Sequence, residues 1–156
     1  MINKHIFYRN LLAGILLAML MPQVALSESG KPTELESISV YKSPTCGCCN
    51  KWVSHLQENG FDVETINRRD MNGVKSEAGV PRQLASCHTA IIGGYVIEGH
   101  VPAADIKRLL KERPDVTGLT VPGMPMGSPG MEGSRQDSYE VMTFTRSGAT
   151  TVFSRY

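Results

Sequence analysis

The amino-acid sequence predicts an α/β protein whose core runs β-α-β-(α)-β-β-α, extended by a Met-rich loop and a C-terminal β-hairpin. Three observations carry that expectation. Two alternating stretches, "SISVY" (Ser37–Tyr41) and "FDVETI" (Phe61–Ile66), bracket a segment with apolar residues at helical spacing. Two further apolar runs are joined by Gly93-Gly94, a good two-residue hairpin turn. The clearest helix of the chain, "PAADIKRLLKER" (Pro102–Arg113), follows directly.

Each element has its own warrant. Ile38 and Val40 share one face of the first strand. "KSPTCGCC" is then turn-rich, and a helix is expected from about Cys48. In that helix Cys49, Val53 and Leu56 recur at i, i+4 and i+7 with Trp52 beside them, and Asn59-Gly60 is its stop. Strand, short helix and strand make a right-handed parallel βαβ unit. "RRDMNGVKSEAGVPRQLAS" (Arg68–Ser86) is the least legible stretch, with a weak helix expected around Met71–Ala78. "TAII" (Thr89–Ile92) and "YVIEG" (Tyr95–Gly99) form the hairpin. In the helix that follows, Pro102 sits at the start and Asp105 complements the N-terminal dipole. Ile106, Leu109 and Leu110 make its apolar stripe, Lys111 and Arg113 suit the last turn, and Pro114 ends it. This is the element order of a thioredoxin or glutaredoxin core. "TGLTVPGMPMGSPGMEGS" (Thr117–Ser134) has loop composition, and Tyr139–Tyr156 reads as a hairpin turning at Ser147-Gly148.

The 156 residues suit one domain with additions. Residues 1–27 read as a signal peptide. Lys4 and Arg9 form a charged start, Leu11–Met21 is an apolar run too short for a comfortable membrane span, and Ala25-Leu26-Ser27 is a small-x-small cleavage site. The remaining divisions are a polar lead-in (28–36), the core (35–113), the Gly/Pro/Met loop (114–136) and the hairpin packed on the core (137–156). The expected location is the periplasm, with no stable membrane span after signal cleavage. Losing Lys4 and Arg9 takes the formal charge from +1 to −1. With charge so balanced and no basic run, nucleic acid is not an expected partner.

All four cysteines lie in the mature part, three of them in Cys46-Gly47-Cys48-Cys49. In an exported chain, four cysteines ordinarily read as two structural disulfides. Here that pairing is awkward, because Cys48 and Cys49 are adjacent and only Cys87 is a distant partner. Cys46 and Cys49 have the spacing of a thiol redox motif at a helix N-terminus, where free N–H groups and the dipole favour thiolate over thiol. In this topology the start of the third strand and the end of the fourth both lie near that corner. The sequence places Cys87-His88 at the first of these positions and His100 at the second. A thioredoxin has its cis-proline at about the Cys87-His88 position, and this chain has none there.

A fourth thiol therefore converges on the triplet. Clustered thiolates suit Cu(I), zinc or iron–sulfur, and the thioethers Met124, Met126 and Met131 on their Gly/Pro scaffold favour Cu(I) over zinc. Thiolates bridge Cu(I) ions, and one Cu(I) leaves most of the charge of four thiolates uncompensated, so more than one copper per chain is expected. His100 is read as a ligand, as support for one, or as a plain loop residue. His88, next to Cys87 on a strand, is expected to face away from it. His55 reads as a solvated helix residue, and Trp52, Met71 and Met142 as core. Two other readings stay open. One is a thiol–disulfide oxidoreductase with Cys46 as exposed nucleophile and Cys49 resolving, which the missing cis-proline argues against. The other is a zinc-binding structural module.

"YKSPTCGCCNKWVSHLQENGF", "GVPRQLASCHTAIIGGYVIEGHVPAADIKRLL" and "GLTVPGMPMGSPGME" resemble the small exported CxCC metal-binding proteins related to the copper-resistance protein CopG. The resemblance covers almost the whole mature chain. It implies a thioredoxin-like fold, an extracytoplasmic place in copper handling, and Cu(I) held by clustered cysteines, a role that falls on Cys46, Cys48, Cys49 and Cys87. It also marks "GHVP" and "GMPMGSPGME" as signature segments, which contain His100, Met124, Met126 and Met131. The function expected is copper binding in copper resistance, with other periplasmic copper-handling proteins as partners and copper redox activity permitted by the thiols.

Overall fold

In the computed structural model, which describes residues 37–156, the chain runs β1 (Ile38–Lys42), α1 (Gly47–Glu58), β2 (Val63–Asn67), α2 (Met71–Glu77), a single 3-10 turn (Arg82–Leu84), β3 (Thr89–Ile92), β4 (Tyr95–Glu98), α3 (Ala103–Glu112), β5 (Gly118–Thr120), β6 (Glu140–Phe144) and β7 (Thr150–Arg155). The expected signal peptide and lead-in, residues 1–36, lie outside the described residues. The expected order β-α-β-(α)-β-β-α is present over Ile38–Glu112, and the protein is α/β. Its strands form one mixed sheet in the order β2-β1-β3-β4-β5-β6-β7. β1 pairs parallel with β2 and antiparallel with β3, so the C-terminal end of β1 meets the start of β3 and the end of β4.

Local chemistry accounts for the boundaries. Gly60, at φ 87°, follows the end of α1 in a conformation that costs glycine little. Asp70 caps α2, its side chain accepting from Gly73 N–H at 2.9 Å. Gly93 and Gly94 both have positive φ, as a two-residue hairpin turn of the primed type requires. The main core joins Ile38 and Val40 to Trp52 and Leu56 of α1 and to Ile106 and Leu109 of α3. A smaller cluster of Val80, Leu84, Val96 and Phe144 uses alternate positions, since Val96 lies between Tyr95 and Ile97 of the main core.

Two expectations change. Gly118–Thr120, inside the stretch with loop composition, is a buried strand, β5, between β4 and β6. Three residues are too few to display an alternation. Its glycine serves close approach, because a Cβ on Gly118 would collide with the Val96 carbonyl. Asp105 does more than complement a dipole. It is buried, accepts from the Ser154 hydroxyl and from Tyr156 OH at 2.8 Å, and pairs with Arg108 at 3.5 Å. Arg108 in turn donates to Phe153 O at 2.7 Å and lies over the Phe153 ring. The C-terminal hairpin is thus tied to α3 as well as to the sheet. No helix among the described residues is long and apolar enough to cross a membrane.

Candidate functional site

The site begins where β1 hands over to α1. The helix starts one residue earlier than the apolar spacing suggests, at Gly47, with Cys46 as its N-cap. The Cys46 sulfur takes the role usually given to a Ser or Asp oxygen and accepts from Cys49 N–H at 3.3 Å. Cys46 and Cys49 are joined in a disulfide, while Cys48 and Cys87 are free thiols. Cys48 Sγ lies 3.5 Å from Cys46 Sγ and 3.9 Å from Cys87 Sγ. All four sulfurs fall within 4.8 Å of one another. Cys49 is buried and the other three are half-buried, so the cluster is partly open to solvent. Burial and the neighbouring Cys48 push the Cys87 thiol up to about 12.

Two histidines complete the inner wall. His100 is fully buried, with Nδ1 at 2.7 Å from the Pro129 carbonyl and Nε2 at 2.9 Å from Cys87 Sγ. A carbonyl only accepts, so Nδ1 carries the proton and the Nε2 lone pair faces the sulfur. His88 is also fully buried. Its Nδ1 lies 3.4 Å from Cys87 Sγ, its ring packs 4.3 Å from Trp52 and 5.0 Å from His100, and its Nε2 has no hydrogen-bond partner among the described residues. Burial first, then surrounding positive charge, holds His88 well below the ordinary histidine range; burial also lowers His100. Cys87, His88 and His100 form a second group with metal-ligand spacing.

The expectation that His88 faces away from Cys87 is corrected. Cys87 and His88 precede β3, which starts at Thr89, so strand alternation does not govern them. His55 is corrected as well. Rather than standing in solvent, it is half-buried, and its Nε2 accepts from Ala103 N–H at 3.1 Å, capping α3 from α1. Burial lowers its pKa against the opposing pull of Glu132 and Glu58. The available signal was position: His55 lies three residues after Trp52 and one before Leu56, at the margin of the buried face of α1.

The Gly/Pro/Met loop closes over the corner through its backbone. Pro129 O holds His100, and Gly130, at φ 85°, lies so close to α1 that a Cβ would meet Cys48 O at 2.8 Å and Trp52 N at 2.9 Å. Asp137 pins the loop, accepting from Met126 N–H at 3.1 Å while its own N–H donates to Met126 O. Met124 is 53% exposed, and Met126 and Met131 are half-buried.

The segment bearing Cys87 is held residue by residue. Thr120 donates to Leu84 O at 2.9 Å, and Gly123 N–H donates to Ala85 O at 3.4 Å. The Ser86 hydroxyl reaches Gly123 O, and Gly99 N–H donates to His88 O at 3.0 Å. Glu98, buried against Lys75, accepts from Ser86 N–H and from the Thr89 hydroxyl. Neither Glu98 nor Lys75 stood out in the sequence. The signal for Glu98 was a charge ending the otherwise apolar strand "YVIE".

A family model described as a protein of unknown function, DUF411, matches residues 84–131, the span that contains Cys87, His88, His100, Met124, Met126 and Met131. Comparison with curated proteins gives no match. Two solved structures, titled copper resistance protein CopG, form 2 and form 1, are each 52% identical to this chain. They superpose with TM-scores of 0.75 and 0.74, covering 79% of this chain and 99% and 98% of theirs. A chain that matches those proteins from end to end at that identity belongs to the CopG copper-resistance protein family.

Proposed function

We propose that this protein binds copper as Cu(I) in the cluster of Cys46, Cys48, Cys49 and Cys87, and that it works in copper resistance after export to the periplasm. One observation carries the reading: four sulfurs from two distant segments lie within 4.8 Å of one another. The names of the solved relatives support copper as the ion. The donor set fits it, since soft thiolates select Cu(I) and bridge between ions, and the lone pair of His100 Nε2 adds a nitrogen donor beside Cys87. More than one ion per chain follows from the charge of the cluster. Met124, Met126 and Met131 supply thioether cover on the loop above it, and other periplasmic copper-handling proteins are the natural donors and acceptors.

Loading requires the Cys46–Cys49 bond to open, because a disulfide sulfur is no thiolate. Opening takes two electrons and two protons from an external dithiol, which is itself oxidised to a disulfide, and leaves two thiols, which metal binding then deprotonates. The reverse step couples to copper itself: two thiols and two Cu(II) give the disulfide, two protons and two Cu(I). Copper redox activity of this kind is part of the proposal. A second reading, a thiol–disulfide oxidoreductase using Cys46 and Cys49, is favoured by the disulfide itself.

An anaerobic Cu(I) titration of the reduced protein against a competing chelator separates the two, with Cys87→Ser alongside. Tight uptake of more than one copper per chain, lost in the variant, is the expected result. Uptake indifferent to Cys87 returns the cluster to dithiol chemistry.

A further inference from the structure

Lys75 and Glu98 are 8% and 0% exposed and stand outside the sulfur cluster, yet their bonds reach both ends of the segment that carries Cys87. We propose that Glu98, with Lys75 as its counter-ion, is the positioning residue of the fourth thiol, fixing Cys87 against the CGCC corner before any ion is bound. The inference rests on reading Cys87 as a metal ligand.

The carboxylate is fully used. Oε1 accepts from Lys75 Nζ at 2.6 Å and from Ser86 N–H at 2.6 Å, and Oε2 accepts from the Thr89 hydroxyl at 2.7 Å. Ser86 and Thr89 flank Cys87 and His88, so one side chain grips both ends of the segment. The next two residues continue the grip. Gly99 N–H donates to His88 O, and His100 Nε2 meets Cys87 Sγ. Three consecutive residues after the apolar run of β4 thus address the whole Ser86–Thr89 segment. Gly99 is required for that approach, since a Cβ there would collide with the Ser86 side chain.

Stability alone does not call for this pair. A buried ion pair stabilises no better than well-packed apolar residues of the same volume, whereas its directional bonds fix a register. An apolar residue at 98 would leave the Ser86 N–H without its acceptor. Lys75 is needed because a carboxylate at full burial requires a charge partner. It also accounts for α2, whose ammonium reaches under the segment to Thr89 at 3.1 Å as well as to Glu98.

Two variants test the proposal in the full protein. Lys75→Met/Glu98→Leu removes both charges together and leaves neither ion unpaired. Glu98→Gln keeps an oxygen for Ser86 N–H. The first readout is free of metal: in a background with Cys46→Ser and Cys49→Ser, the Cys48–Cys87 disulfide is equilibrated against glutathione, its disulfide taking the two electrons and two protons of the thiols. The second is Cu(I) affinity of the four-cysteine protein.

With far-UV circular dichroism and melting temperature close to those of the parent, the double variant is expected to lose on the order of tenfold or more in the disulfide equilibrium. Its copper affinity is expected to fall towards that of Cys87→Ser, and Glu98→Gln to recover part of both. An unchanged disulfide equilibrium in the folded double variant overturns the proposal, and so does full copper affinity when Cys87→Ser has lost it. If the double variant does not fold, Glu98→Gln carries the test, with a shift of about threefold or more supporting the proposal and no shift overturning it. If Cys87→Ser binds copper like the parent, the copper reading fails, and the disulfide equilibrium alone decides positioning.

Discussion

Cys46, Cys48 and Cys49 come from one helix N-terminus, whereas Cys87 comes from a bend that joins no strand until Thr89. At the corner the chain's own geometry does the gathering. The loop after β1 turns into α1, the Cys46 sulfur caps it, and Cys48 stands 3.5 Å from Cys46. At Cys87 nothing local suffices. Thr120, Gly123, Glu98, Gly99 and Lys75 all bond to the Leu84–Thr89 segment. A cluster can therefore take three sulfurs from a motif and a fourth from tertiary structure, and on the proposed reading the fourth distinguishes a four-thiol socket from a dithiol.

The most severe way to break that comparison is Cys87→Ser. Copper affinity is expected to fall by more than the roughly 10–100-fold typical of losing a group that merely supports a ligand. Cys48→Ser, titrated beside it, shows whether the local and remote thiols count equally. Trp52→Ala attacks the wall that both regions share, since its ring packs against His88 and its Nε1–H donates to Val101 O at 2.9 Å. A chemical denaturation curve is expected to register a loss of about 3–5 kcal/mol. Gly130→Ala sharpens the corner's side, because it strains a left-handed residue and pushes the loop from Cys48 and Trp52. It is expected to cost about 1–3 kcal/mol in stability.

The smallest effect comes from pH. His55, His88 and His100 all have pKa values lowered in the fold, so protons bind the unfolded chain better. Their contribution is complete above the ordinary histidine value of 6.5 and is lost as pH falls below it. The melting temperature of the metal-free protein is expected to drop between about pH 7 and pH 5. His55→Gln, away from the sulfurs, is expected to flatten part of that slope.

The same contrast decides what the sequence could reveal. Alternation in "SISVY", the Gly93-Gly94 turn and the stripe of α3 are local patterns, and each produced its element. The convergence of Cys87 and His100 on the corner was legible because topology brings the start of β3 and the end of β4 there. The orientation of His88 was not, because alternation was applied to a residue ahead of the strand. β5 stayed hidden because three residues between glycine- and proline-rich neighbours carry no period. The Lys75–Glu98 pair joins the faintest expected helix, present at Met71–Glu77, to a strand end, and the only trace of the pairing was one charge in an apolar run.

The cap on α1 carries a consequence beyond geometry. On the proposed reading, copper and the Cys46–Cys49 bond compete for the same two sulfurs, so copper occupancy becomes a function of the electron potential around the protein. For a two-electron couple, each shift of about 30 mV changes the dithiol-to-disulfide ratio tenfold. An affinity measured in strong reductant is then an upper limit. The value in a given compartment is scaled by the fraction of chains whose cap is open there.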